Sequence, residues 1–166
     1  MQNHTLLTIQ LPNVSGQVQQ WGDIAGLGAA FAIMHAAQRH NQPVLVITPD
    51  MVSAAQLQRE LMFVNSRENP LPILLLPDWE ILPYDQFSPH HDIISERLRT
   101  LNTLTHSTPA IVVVPINTLM HRCVPRQHFD AHVFIINIGS KINISEFRER
   151  LTNAGYRATS QVYEHG

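Results

Sequence analysis

A single cysteine, Cys123, stands in the 166 residues of this chain. It excludes an internal disulfide and any multi-cysteine zinc centre, and it fits a reducing compartment. Charge of one sign is lacking too. Eleven Lys+Arg face 13 Asp+Glu, a formal net charge of −2, so no overall basic field exists to grip nucleic acid non-specifically. No apolar run approaches the roughly 20 residues that span a bilayer. The start, "MQNHTLLTIQLPN", has neither the cationic lead nor the long apolar stretch of a secretory signal. A cytoplasmic protein without membrane contact is expected.

Apolar residues are plentiful at 44%, enough for a buried core. Three short runs read as buried parallel strands: "PVLVIT" at 43–48, "PILLLP" at 72–77 and "PAIVVVP" at 109–115. A fourth, "HVFIIN", follows at 132–137. Helical patterns lie around the first three: "AGLGAAFAIMHAAQRH", "MVSAAQLQRELMFVN" and "DIISERLRTLNTLTH". Alternating strands and helices predict an α/β fold, a three-layer parallel-sheet domain over residues 1–123. Ligands of such sheets sit beyond the carboxyl ends of the strands, so the loops after Thr48, Leu76 and Val114 form the functional edge.

The loop after Leu76 is unusual, since "LPDWEILPYDQFSPHH" concentrates prolines, aromatics and two adjacent histidines. In the helix after it, Ile93, Ile94, Leu98, Leu101 and Leu104 recur at helical spacing and are expected to face the sheet. Glu96, Arg97 and Arg99 are expected outside or toward a neighbour. Asp92 is placed at or near the N-cap.

Beyond Pro115 the pattern changes to a short "INTLMHRC" helix, a "VPRQHFDAH" connection, the strand near Val133 and a helix "ISEFRERLTNAGY". Asn143 or Ser145 can cap that helix, and Gly155 suits its C-terminal end. A last run, "SQVYEHG", reads as a strand without a partner. Residues 124–166 are therefore expected to begin a second small α/β domain that continues past Gly166.

Chemical motifs are few. The nearest match to a phosphate-binding GxxxxGK[ST] loop is "DIAGLGAA" at 23–30. Gly28 is present, but Asp23 replaces the first glycine, Ala29 the lysine and Ala30 the hydroxyl residue. A Gly- and Ala-rich helix start packed closely on the sheet explains it better, so neither a catalytic residue nor a cofactor-binding residue is assigned. His90, His91 and Asp92 form the densest set of metal-ligating types. Adjacent loop residues point apart, however, and His128 and His132 are read in a connection entering a strand, so no metal is expected. Cys123 near His121 and His128 reads as a small hydrophobe. Glu146, Arg148, Glu149 and Arg150 read as a solvated helix face, or else as a docking surface with Tyr156 and Tyr163 nearby.

"PDWEILPYDQFSPHHDIISERLRTL", then "VVVPINTLMHR" and "NAGYRATSQVYEHG", strongly resemble the amino-terminal region of the bacterial transcription-repair coupling factor family, Mfd. That region is similar to the excision-repair protein UvrB. The resemblance implies a degenerate RecA-like domain with its nucleotide chemistry gone, followed by the start of a UvrA-binding domain. ATP and magnesium are implied for the full-length protein alone, as are contacts with RNA polymerase and DNA. It also implies that Trp79, Tyr84 and Phe87 pack a shortened loop where UvrB carries a DNA-inserting hairpin. Base stacking on these rings, worth about 1–3 kcal/mol each, is the rival reading. A nucleotide-dependent or DNA-binding α/β domain with an atypical phosphate loop is the alternative for the whole chain.

Overall fold

The computed structural model describes the chain except for residues 1–8, Asp23, 82–85, Phe87, Ser107, Thr108, Phe134, Ile135, Asn137, Ser160 and 162–166. For His106, His128, Ala131 and His132 it describes the backbone alone. The elements run α1 (Gly28–His40), β1 (Val44–Thr48), α2 (Met51–Val64), β2 (Ile73–Leu75), α3 (His91–His106), β3 (Ile111–Pro115), α4 (Ile116–Leu119), α5 (Arg126–His132) and α6 (Ile144–Asn153). They fall into two compact units, Met1–Arg122 and Cys123–Gly166.

In the first unit β3 is central. It pairs in parallel with β1, Val44 opposite Ile111 through Thr48 opposite Pro115, and with β2, Ile73 opposite Ile111 through Leu75 opposite Val113. Every residue of β3 is buried, as its unbroken Ile/Val composition requires of a strand covered on both faces. Pro115 ends the strand, where its missing N–H costs little. The expected parallel α/β sheet is what forms.

The two faces are covered differently. Ala30, Met34 and Ala37 of α1 and Ala54 and Leu61 of α2 pack on Leu75, Ile111 and Val113. The small alanines let α1 and α2 approach each other closely, while each large aliphatic group adds about 1.5–3 kcal/mol of burial. On the opposite face Leu101 and Leu104 of α3 cover Leu74, Leu76, Val112 and Val114. That cover stops short of β1: Leu45 and Ile47, in register with Val112 and Val114, are 52% and 51% exposed. Among the described residues the outer edge of β1 carries no strand.

Local chemistry sets the boundaries. Asn41 stops α1 in the left-handed conformation, φ +53°, which asparagine tolerates better than most residues. The Asn65 side chain donates to Leu71 O at 2.9 Å and accepts from Leu71 N at 3.1 Å, returning the chain into β2.

Two expectations are corrected here. Leu98 is exposed and Arg97 is buried, so the inward stripe of α3 is Arg97, Thr100, Leu101 and Leu104. The phase turns because Thr100 Oγ1 donates to Leu75 O at 2.8 Å and Arg97 donates to Pro77 O, both at the end of β2. Residues 126–132 are a helix, α5, where a connection was expected. Pro125 precedes its first turn, and Arg126 pairs with Asp130 at 3.5 Å one turn on. His132 therefore ends a helix, and extended backbone starts at Val133. The rest of the expected strand at 132–137 lies largely outside the described residues, as does most of the expected strand at 160–166.

In the second unit α6 is capped as expected: Asn143 Oδ1 accepts from Ser145 N at 3.1 Å, and Gly155 beyond its end takes φ +92°. It buries none of its residues fully. No described helix is long and apolar enough to cross a membrane.

Candidate functional site

Only three residues, 41–43, join α1 to β1, so α1 runs back along the strand. Its first turn therefore lies at the carboxyl end of the sheet, the edge that holds ligands in folds of this kind. Among the described residues four elements meet the solvent there: the start of α1, the start of α2, the loop after β2 and the start of α4, which follows β3 directly.

The start of α1 is a tight turn of backbone. Gly28 N donates to Ala25 O at 3.1 Å and Phe31 N to Leu27 O at 3.1 Å, with Gly26 at φ +55°. A Cβ on Gly28 would meet Ile24 Cγ2 at 2.6 Å, so the glycine is required by Ile24. Ala30 is fully buried, its methyl in the core beside Met34 and Ala37, and Ala29 is half-buried. No side chain caps this helix, and no acid stands in its first turn. Ala29 and Ala30 offer neither a cation for a phosphate nor a hydroxyl for magnesium. Asp23, the remaining residue of the degenerate motif, lies outside the described residues.

The start of α2 differs. Asp50 accepts from Ser53 N at 2.7 Å, and its backbone carbonyl accepts from Thr48 Oγ1 at 3.0 Å. The hydrogen bond from the Ser53 backbone holds the Asp50 carboxyl below the ordinary aspartate range, with the Ser53 hydroxyl adding to it. A carboxylate of the chain itself occupies this helix N-terminus.

The loop after β2 is clasped from two sides. Arg97, 3% exposed, reaches Pro77 O with its guanidinium, whose carbon lies 4.1 Å from the centre of the Trp79 ring. Asp78 accepts from Trp79 N at 2.8 Å and from Asn117 Nδ2 at 3.1 Å, tying the loop to the start of α4. Glu80 follows at φ +57°, an uncommon conformation for a residue with a side chain. Trp79 is thus engaged with the protein. Tyr84 and Phe87 lie outside the described residues.

Elsewhere the candidates stay apart. His90 approaches Asp92 at 3.5 Å, both highly exposed. Among the described residues no group of three or more His, Cys, Asp or Glu could hold a metal ion. The reason given for setting aside His128 and His132 does not hold, since both belong to α5, but their side chains lie outside the described residues. Cys123 is exposed, against the expectation of a small buried group. Glu146, Arg148, Glu149 and Arg150 are all exposed on α6, Tyr156 stands exposed beyond its end, and Tyr163 is outside the described residues. Sequence reasoning missed the Arg97 clasp. Its signal was a cation one turn before Leu101 on the inward stripe, downstream of a loop tryptophan.

No family model matches the chain. Among curated proteins it is 39% identical over 156 residues to the transcription-repair-coupling factor of Escherichia coli (strain K12), covering 94% of this chain and 13% of that protein. It is 41% identical over 145 residues to the Haemophilus influenzae protein of the same name, covering 87% of this chain and 12% of that one. A Staphylococcus aureus protein of that name matches at 26% over 147 residues. The chain spans about an eighth of the length of these curated relatives.

Proposed function

The chain is a homologue of one region of the transcription-repair-coupling factors, and on that premise we propose that it is a non-catalytic, UvrB-like interaction module. In this reading the full-length protein is a cytoplasmic, ATP-driven translocase that displaces RNA polymerase stalled at a DNA lesion and recruits UvrA to start excision repair. ATP, magnesium, polymerase and DNA belong to other regions of that protein. The UvrA contact belongs to the domain that begins in the second unit.

The observation that carries the reading is the start of α1. Where a working phosphate loop places a lysine and a hydroxyl, this chain places Ala29 and Ala30, the second sealed in the core. Charge-assisted contacts of the missing kind contribute about 1.5–3 kcal/mol each. Their absence supports a scaffold retained for its shape.

Calorimetry with UvrA and with ATP tests both halves. The chain is expected to bind UvrA weakly or not at all, and the full-length Escherichia coli relative to bind it measurably better. Equal affinity would put the contact surface in the wrong unit. Neither the chain nor its Ala29→Lys/Ala30→Thr variant is expected to hydrolyse ATP. Magnesium-dependent ATP binding at micromolar concentration, lost on changing Gly28, would replace this reading with a nucleotide-dependent domain.

A further inference from the structure

Residues 10–21 form a closed loop beside α1. Trp21 Nε1 donates to Gln10 O at 3.4 Å across the neck. At the tip Gln17 N donates to Val14 O at 3.1 Å, Gln17 Oε1 accepts from Asn13 N at 2.9 Å, and Gly16 takes φ +83°. Surface loops whose ends are joined in this way frequently carry function.

This loop does not lie flat on the helix. A cavity of about 660 Å³ opens between it and Ala36, His40 and Val44. Another of about 650 Å³ opens toward Arg39, and Leu11, Asn13, Gln17 and Gln19 form a wall common to both. Each volume falls within the ~300–1,000 Å³ of ordinary ligand pockets.

The two cavities differ in chemistry. Among the described residues the first has no carboxylate, lysine or arginine in its lining, His40 is its one titratable group, and its apolar surface comes mainly from Leu11, Val14, Trp21 and Val44. Trp21 spends its one donor on Gln10, so the ring itself, 40% exposed, is what it offers. The second cavity adds the Arg39 guanidinium, with no carboxylate among the described residues of its lining. Among the described residues Arg39 enters no ion pair. The wall between them is amide-rich, and amides both donate to and accept from a peptide backbone.

The geometry points to a docking site for a short peptide segment in which an aromatic side chain is followed by a carboxylate. The ring fills the first cavity against Trp21, the carboxylate meets Arg39, and the amide wall takes the backbone between. Every residue of the site belongs to the first unit, while the proposed UvrA contact is assigned to the second, so either can fail without the other.

Amide shifts of the whole chain, titrated with N-acetyl-Trp-Glu-amide and with N-acetyl-Trp-Gln-amide as the neutral control, test it. The acidic probe is expected to give saturable shifts confined to residues 10–21 and the second half of α1, and to bind more tightly than the control. Arg39→Glu should weaken the acidic probe by more than about fivefold, the worth of one exposed ion pair, because it also sets a like charge against the carboxylate, and leave the neutral probe unchanged. Ala36→Leu, which fills the first cavity, should abolish both; Ser15→Trp at its lip serves where Ala36→Leu perturbs the circular dichroism. Shifts absent or centred elsewhere, equal affinity for the two probes, or equal loss of both on Arg39→Glu would overturn the site.

Discussion

Helices α1 and α2 both start at the carboxyl edge of the same sheet, yet the two starts are built on opposite principles. Asp50 fills the α2 start with its own carboxylate, so the orphan N–H groups and the positive end of the helix dipole have an anion from within the chain. The α1 start has no side-chain cap, and it is held by backbone turns and by methyl groups packed inward. One helix start is fixed by electrostatics, the other by close packing. A phosphate site requires an open N-terminus beside a cation, and neither start supplies that combination.

The contrast predicts different failures. Ala30→Leu should be the most damaging change, because a fully buried methyl site has no room for three more carbons; a loss of about 1–3 kcal/mol in chemical denaturation is expected. A neutral result would mean that α1 is not closely packed at Ala30. Gly28→Ala comes next and tests a sign. In an open helix interior this change stabilises by about 1 kcal/mol, whereas here the 2.6 Å approach of Ile24 Cγ2 should turn it into a comparable loss. Ile24→Ala should restore the helix-propensity gain in the double variant, and simple additivity would show that Ile24 is not the obstacle.

Asp50→Ala should give the smallest and the only pH-dependent change. The folded carboxyl is held below its unfolded value, so its stabilisation is present above the ordinary aspartate range and is lost as pH falls through the lowered folded value. The melting temperature of Asp50→Ala should therefore lie below that of the parent at neutral pH and converge with it in acid. A constant difference across that range would assign the effect to helix geometry instead of to charge.

The sheet was legible because its signal is local. Prolines flank runs such as "PAIVVVP", and the whole β-branched run of β3 is buried together with Ala110 and Pro115 at its ends, while the helices between them follow from apolar spacing. Asn143 and Gly155 were readable for the same reason, since a cap and a left-handed terminus depend on neighbouring residues alone. The misreadings concern partners distant in sequence. Arg97 looked solvated because its charge was visible and its partners, a carbonyl and an indole twenty and eighteen positions earlier, were not. Residues 126–132 were expected as a connection because a helix of 7 residues is too short for apolar spacing to mark it, although Pro125 suits the position just before a first turn. The absent phosphate chemistry was legible from Ala29 and Ala30, but the demand Ile24 makes on Gly28 appears only in three dimensions.

The half-bare face of β1 sets how the chain behaves in a tube. Among the described residues Leu45 and Ile47 lie side by side on a strand that ends the sheet, the combination of apolar surface and strand edge from which β-aggregation starts. Colloidal stability should therefore be governed by this strand, and light scattering of concentrated solutions should fall when Leu45 is replaced by Lys, at no cost to a core that the side chain never entered.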